Sequence, residues 1–286
     1  MKTLERYAPG VFVIIWASGF VVAKYAFANS DVLFFLSIRL LIAAAILAII
    51  TKALGQSLTL SQGDLIASLA IGVSLHALYL GGVWEAIAHG SPSGIASVVA
   101  SLQPVIVSLV AVRLLGERLK RIQLTGLFVG LFGVWMVLAP AFSRAGEMTF
   151  VALILLIAAL TGSTSATLMQ KKLGHSIPLL AGTTYQFLIA GVLLGCISIA
   201  SGKTSIRWNL ESSLAMAWAV VVTSLIAILL LLWMLTRGSA ARVSSLLYLV
   251  PPTTAIQAFV LFGEKLNPQA FIGIVMTAVG VALVQR

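Results

Sequence analysis

Apolar residues in this chain come in runs of about twenty, divided by short polar connectors. A bilayer core of about 30 Å needs roughly 20 apolar residues per helix. Runs of that kind lie near 8–28, 32–51, 64–86, 93–114, 122–140, 148–170, 178–200, 212–235, 242–262 and 268–285. Each connector carries a helix breaker or a charge, as in Asn29-Ser30-Asp31, Gly55-Gln56, His89-Gly90-Ser91-Pro92, Gly174-His175 and Gly202-Lys203. None is long enough to hold a soluble domain. The pattern predicts an all-α integral membrane protein of ten transmembrane helices. The first run has no small-residue cleavage site behind a short apolar core, so it is expected to be retained.

Composition excludes the soluble classes. Of 286 residues, 60% are hydrophobic and 9% charged, with a mean hydropathy of +1.10, whereas soluble domains carry about 25% charged residues. A formal charge of +10 raises the question of nucleic acid. Nucleic-acid binders gather their bases on one face, but here Lys and Arg fall mostly at the ends of apolar runs, as topology signals do. Lys2, Arg6, Lys52, Arg113, Arg118, Lys120, Arg121, Lys171, Lys172, Arg237, Arg242 and Arg286 fall on the side of the N-terminus. Lys24, Arg144, Lys203, Arg207 and Lys265 fall opposite, and Arg39 lies within a span. The bias puts both termini in the cytoplasm. The single cysteine, Cys196, allows no intrachain disulfide and reads as a small core residue.

Sliding the chain by 147 residues superposes it on itself. Ser97 falls on Ser244, Leu102 on Leu249, Pro104 on Pro251, Gly116-Glu117 on Gly263-Glu264, and Gly126 and Gly133 on Gly273 and Gly280. Ser18 meets Ser165, and Leu41-Ile42-Ala43 meets Leu188-Ile189-Ala190. The division expected is two five-helix repeats, 1–143 and 144–286. An odd number of spans makes the second enter from the opposite side. The first Gly-Glu connector is followed by Arg118, Lys120 and Arg121; its copy keeps only Lys265. Inverted repeats of this kind mark carriers in which one half rocks against the other around a midplane site.

These residues resemble the drug/metabolite transporter superfamily, in its EamA-like ten-helix branch. The resemblance covers essentially the whole chain. It is carried by Trp16-Ala17-Ser18-Gly19-Phe20 with Lys24, Ile38-Arg39-Leu40, Ala96-Ser97-Val98, Gln103-Pro104-Val105, Gly116-Glu117-Arg118-Leu119 and Gly126 with Gly133-Val134. The second copy supplies Ser244, Val250-Pro251 and Gly263-Glu264-Lys265-Leu266. What the resemblance implies is a multi-pass carrier of a bacterial inner membrane, often an exporter of amino acids or related metabolites. Within the branch the chain looks most like the YddG-type exporters of aromatic amino acids.

Polar groups at bilayer depth are costly and ask for a function or a partner. His76 lies at the centre of the third span, with Tyr79 one turn along the same face. An imidazole can offer a donor and an acceptor to an amino or carboxylate group, or bond to a neighbouring helix. Arg39, in the second span, is a candidate to hold a substrate carboxylate; pairing with Glu85 at similar depth or snorkelling are its alternatives. Its copy is Gln186, beside Tyr185. Trp16 and Tyr248 are candidates to stack on an aromatic substrate or to pack, and Gln103 is a further candidate for the cavity. Pro104, Pro251 and Pro252 fall inside the fourth and ninth spans, where a missing N–H frees a carbonyl; they are bend points for access switching or static kinks. Gly126, Gly130, Gly133, Gly273 and Gly280 give the fifth and tenth helices smooth faces.

Absences narrow the reading further. No acidic residue lies near the middle of a span, which leaves His76 as the midplane proton carrier and favours facilitated transport or weak proton coupling. No His-Glu-x-x-His, Ser-x-x-Lys, Gly-x-Ser-x-Gly or phosphate-cradling motif is present, so neither an enzyme nor an ATP motor is expected, and no cofactor or metal. The expected partners are a small-molecule substrate and the lipid bilayer, not nucleic acid, with the chain a monomer or homodimer. The function expected is export of aromatic or neutral amino acids or related metabolites by alternating access. The alternatives are export of nucleosides, purines or cationic drugs, and a solute channel.

Overall fold

A computed structural model describes residues 2–27, 30–103, 106, 107, 110, 120–143, 149–173, 176–228, 230, 234, 246, 249–263 and 268–284. Among these there are ten helices and no strand. We number them α1 Lys2–Phe27, α2 Val32–Ala53, α3 Gln62–Ala88, α4 Ser93–Ala100, α5 Arg121–Ser143, α6 Phe150–Leu173, α7 Leu179–Ala200, α8 Leu210–Ile226, α9 Val250–Phe262 and α10 Pro268–Val284. Val32–Ala53, Gln62–Ala88, Phe150–Gln170 and Leu179–Ala200 are long and apolar enough to cross a bilayer. Tyr7–Ala23, Arg121–Met136, Leu210–Ile226, Val250–Phe262 and Pro268–Gly280 are apolar but shorter.

Local chemistry sets the helix ends. Ser61 caps α3 by accepting the Asp64 N–H at 3.1 Å, and Asn209 and Ser212 form a reciprocal capping box at the start of α8, satisfying donors that have no partner in the first turn. The helices α2 and α7 both end at a glycine in the left-handed region, Gly55 and Gly202, each with φ +70°. Lys203 N–H then donates to Ser198 O, and Gln56 N–H to Thr51 O, both at 3.0 Å. Such a C-terminal glycine turn satisfies the last carbonyls, and a Cβ would strain it.

Two of the expected spans are interrupted among the described residues: helix is assigned again at Gln103 in the fourth, past α4, and at Leu246 in the ninth, ahead of α9. The fourth, expected over 93–114, has α4 ending at Ala100. Ser101 N–H is shared between Ser97 O and Val98 O, and Leu102 N–H goes to Val99 O at 3.1 Å, so the last turn tightens ahead of Pro104. Pro104 itself lies outside the described residues. The ninth, expected over 242–262, begins as α9 at Val250, which puts Pro251 and Pro252 in its first turn and not inside a continuous helix. First-turn N–H groups have no helical acceptor, so proline is tolerated there. In α3 and α8 the backbone widens to π-helical turns over Val73–Leu80 and Trp218–Ile226.

Packing follows the 147-residue spacing. By that shift α2, Val32–Ala53, falls on α7, Leu179–Ala200, end for end. The helices α2 and α7 pack on each other, as do α5 and α10. The pairs α1–α9, α1–α8 and α2–α8 recur, each helix replaced by its counterpart at the 147-residue spacing in the other half, as α6–α4, α6–α3 and α7–α3. Small residues permit the close approaches. Ser37 Oγ donates to Gly191 O at 2.7 Å between α2 and α7, and Gly133 and Gly280 bring α5 and α10 backbone to backbone, as the glycine pattern predicts.

The outer face is apolar. Phe128, Trp135, Ile199, Val260 and Phe271 stand exposed, in a quantity that suits lipid tails and not water. Cys196, expected in the core, is exposed as well: α7 turns Gly191 and Gly195 toward α2, and Cys196 follows on its outer side.

Candidate functional site

Inside the bundle lies a cavity of about 150 Å³. A cavity of that order holds one benzene-sized body. From the first half of the chain come Trp16, Gly19 and Phe20 of α1, Arg39 and Leu40 of α2, and Leu75, His76, Tyr79, Leu80, Val83 and Trp84 of α3. From the second come Phe187 of α7, Thr223 and Ser224 of α8, and Ile228. Both π-helical segments face it, the first with His76 and Tyr79, the second with Thr223 and Ser224. Wide turns of this type recur at functional sites.

Arg39 spans the two halves. Its Nε donates to Ser224 Oγ at 3.1 Å and its Nη2 to Thr223 Oγ1 at 2.9 Å. Thr223 in turn donates to Ala219 O at 2.8 Å, which fixes its lone pairs toward the guanidinium. The guanidinium carbon lies 5.3 Å from the centre of the Trp84 ring, a cation–π distance, and Trp84 stacks on Phe35 at 5.9 Å. Nη1 is buried without a partner. The expected pairing with Glu85 does not form: Glu85 and His89, one turn apart on the same strip of α3 and its end, approach to 3.4 Å instead. Glu85 follows Trp84 in sequence and therefore points about a quarter-turn away from the cavity.

His76 is buried, with Phe187 edge-on at 4.6 Å and 67°. The buried Gln186 side chain is within reach of its imidazole, and Nε2 has no partner. The two polar contacts are related. The 147-residue spacing carries Arg39 to Gln186 and His76 to Thr223, so Arg39 on Thr223 and Gln186 beside His76 are one contact made twice with different residues. Leu40 and Phe187, both in the lining, are matched in the same way. The copies have diverged so that charge and imidazole come from the first half, hydroxyl and amide from the second.

Of the residues expected at the site, Trp16, Arg39, His76 and Tyr79 line the cavity, and Gln186 backs it. Tyr185 is half-buried and stands apart from the lining. Gln103 is also elsewhere: it is not in the lining, and its amide, just past the break at Ser101 and Leu102, donates to Thr167 Oγ1 on α6. Tyr248 lies outside the described residues. Missed in the sequence were Phe20, Trp84, Phe187, Thr223 and Ser224. For Thr223 a signal existed, since it is the copy of His76.

The sequence pattern of the EamA-like transporter family matches residues 11–139 and, a second time, residues 149–286. The chain belongs to the EamA-like transporter family. This EamA-like protein is thus a multi-pass membrane transporter, related to proteins of the drug/metabolite transporter superfamily. It is 28% identical to the probable terminal-alkyne amino-acid exporter of Streptantibioticus cattleyicolor (strain ATCC 35852), over 96% of this chain and 91% of that protein. It is 26% identical to the uncharacterized inner membrane transporter YedA of Escherichia coli (strain K12), over 95% of this chain and 87% of that one. A solved crystal structure with 18% sequence identity superposes with a TM-score of 0.70, covering 96% of this chain and 94% of that one; the likeness is one of fold.

Proposed function

We propose that this transporter is an alternating-access exporter of amino acids or related metabolites in a bacterial inner membrane. In this reading residues 1–143 and 144–286 are inverted repeats, both termini are cytoplasmic, and the cavity between them is the substrate site. The observation that carries it is the composition of that cavity. Its wall is drawn from both halves, and its polar groups, Arg39, His76, Tyr79, Thr223 and Ser224, converge from helices α2, α3 and α8. A largely apolar pocket with a few convergent polar groups is the usual form of a small-molecule site, and a site at a repeat interface can be opened to either side by rocking.

Aromatic specificity, as in the YddG-type exporters, draws support from Trp16, Phe20, Trp84 and Phe187 in the wall. The helix breaks ahead of Pro104 and at Leu249, matched at the 147-residue spacing, are suited to serve as the bend points. A cationic drug is disfavoured by the fixed charge of Arg39. The test is flux in proteoliposomes. A carrier gives saturable uptake with counterflow driven by unlabelled substrate; ohmic current without counterflow would reverse the reading in favour of a channel. His76→Ala and Tyr79→Ala should each weaken counterflow while melting temperature stays near wild type. Equal loss of folding and flux would make both residues structural.

A further inference from the structure

We infer that the cavity takes a small organic anion, a carboxylate seated on Arg39 with an aromatic or branched apolar body, and that an ammonium group on the substrate is dispensable. The inference rests on the carrier reading above and names the chemistry of its site.

The first ground is an uncompensated charge. Two of the three guanidinium nitrogens of Arg39 are spent on the neutral hydroxyls of Ser224 and Thr223, and Nη1 is buried with nothing to donate to. A buried cation without a counter-charge is costly. No Asp or Glu stands among the described residues of the lining, and Glu85 is engaged with His89. A ligand carboxylate would supply both the missing acceptor and the missing charge, in a geometry the guanidinium fork favours. With Nε and Nη2 held by the hydroxyl pair, Nη1 is the guanidinium nitrogen left without an acceptor.

The second ground is what the cavity lacks for a cation. Among the described residues of the lining, His76 Nε2 is the other buried atom without a partner, and it can serve one carboxylate oxygen in one tautomer. Among the described residues of the lining an ammonium would meet neutral groups and ring faces, close to the like charge of Arg39. Among molecules with a carboxylate, those bearing a hydroxyl or carbonyl in place of the ammonium keep the attraction and lose the repulsion. The aromatic walls, Trp16, Phe20 and Phe187, suit a ring body by stacking and burial.

The experiment is equilibrium binding to the purified full chain in detergent, with three ring-bearing probes: L-3-phenyllactate and L-phenylalanine, of nearly equal shape, and phenethylamine, which has the ring and ammonium but no carboxylate. The expected order is phenyllactate tighter than phenylalanine by about ten-fold or more, from the worth of one charge-assisted hydrogen bond freed of opposition, with phenethylamine failing to compete. Arg39→Gln should weaken phenyllactate by a similar factor and erase the preference, while Arg39→Lys keeps the order. Phenylalanine or phenethylamine binding as tightly as phenyllactate, or no phenyllactate binding at all, would overturn the inference. So would a folded Arg39→Gln protein that retains the preference. Counterflow with the same probes separates the two levels. Saturable counterflow of phenylalanine with no preference for phenyllactate overturns this inference and leaves the carrier standing. Ohmic current without counterflow of any probe overturns both.

Discussion

Gly133 offers a prediction whose sign and size come directly from the packing. A Cβ added there would lie 2.6 Å from Thr277 N, 2.7 Å from Gly273 O and 2.7 Å from Thr277 Oγ1, where ordinary contact begins at 3.4 Å. Two of these atoms are backbone of α10, so no side-chain rotation relieves the clash and the helices α5 and α10 must part. Overpacking of this kind costs about 1–3 kcal/mol, partly offset by about 0.5–1 kcal/mol from replacing a helical glycine with alanine. Gly133→Ala should therefore lose a net of about 1 kcal/mol at mid-range and up to about 2.5 kcal/mol, a fall in melting temperature of about 2–4 °C at the central value. Gly10, in α1, has nothing within 4 Å of the same position. Gly10→Ala keeps only the helix-propensity term and should hold or raise the melting temperature. Heating the purified variants and measuring the surviving monodisperse fraction by size exclusion reads both. A Gly133→Ala protein as stable as wild type, or a Gly10→Ala protein that falls with it, would refute the backbone-to-backbone contact.

Gln103→Ala should leave the half-saturating substrate concentration in counterflow unchanged, because its amide is engaged with Thr167 and not with the cavity; a shift of several-fold would put Gln103 back in the site. Thr223→Val removes the acceptor held at 2.9 Å by Arg39 Nη2, and should cost about 1–3 kcal/mol in thermal stability and weaken substrate binding, whereas an unmoved melting temperature would mean that the bond does not form. Gly202→Ala, at φ +70°, should cost about 1–2 kcal/mol without changing transport, and its 147-residue counterpart Gly55→Ala should cost the same. Loss at one position with none at the other would break the match between the two turns.

Polar atoms in apolar runs are visible in a sequence, because their cost in lipid demands an account; Arg39, His76 and Tyr79 were found that way, and all three line the cavity. Trp84 and Phe187 were not. An aromatic ring in an apolar span gives the same signal whether it faces lipid, a neighbouring helix or a pocket, and only the azimuth around the helix separates these. Azimuth also explains Glu85, at the right depth but on the wrong side of α3; Gln103 is spent on Thr167 of α6, a partner that a count of apolar residues does not reveal. The start of α9 at Val250 was hidden for a similar reason: Pro251 is as compatible with a first turn as with an interior kink, and hydropathy does not distinguish them. The repeat was the richer source. It aligned α2 with α7 to the residue and, taken one step further, would have led from His76 to Thr223.

The account depends on two copies of one fold inserted in opposite senses. Gln56 and Lys203 occupy the same place in the two copies, one residue after the matched glycines Gly55 and Gly202, and both are exposed. In a Cys196→Ala background, Gln56→Cys and Lys203→Cys can be labelled in intact cells and in inverted vesicles with a thiol reagent that does not cross membranes. The account predicts that the two label from opposite faces, residue 56 from the cytoplasm and residue 203 from outside. Labelling of both from the same face would contradict it.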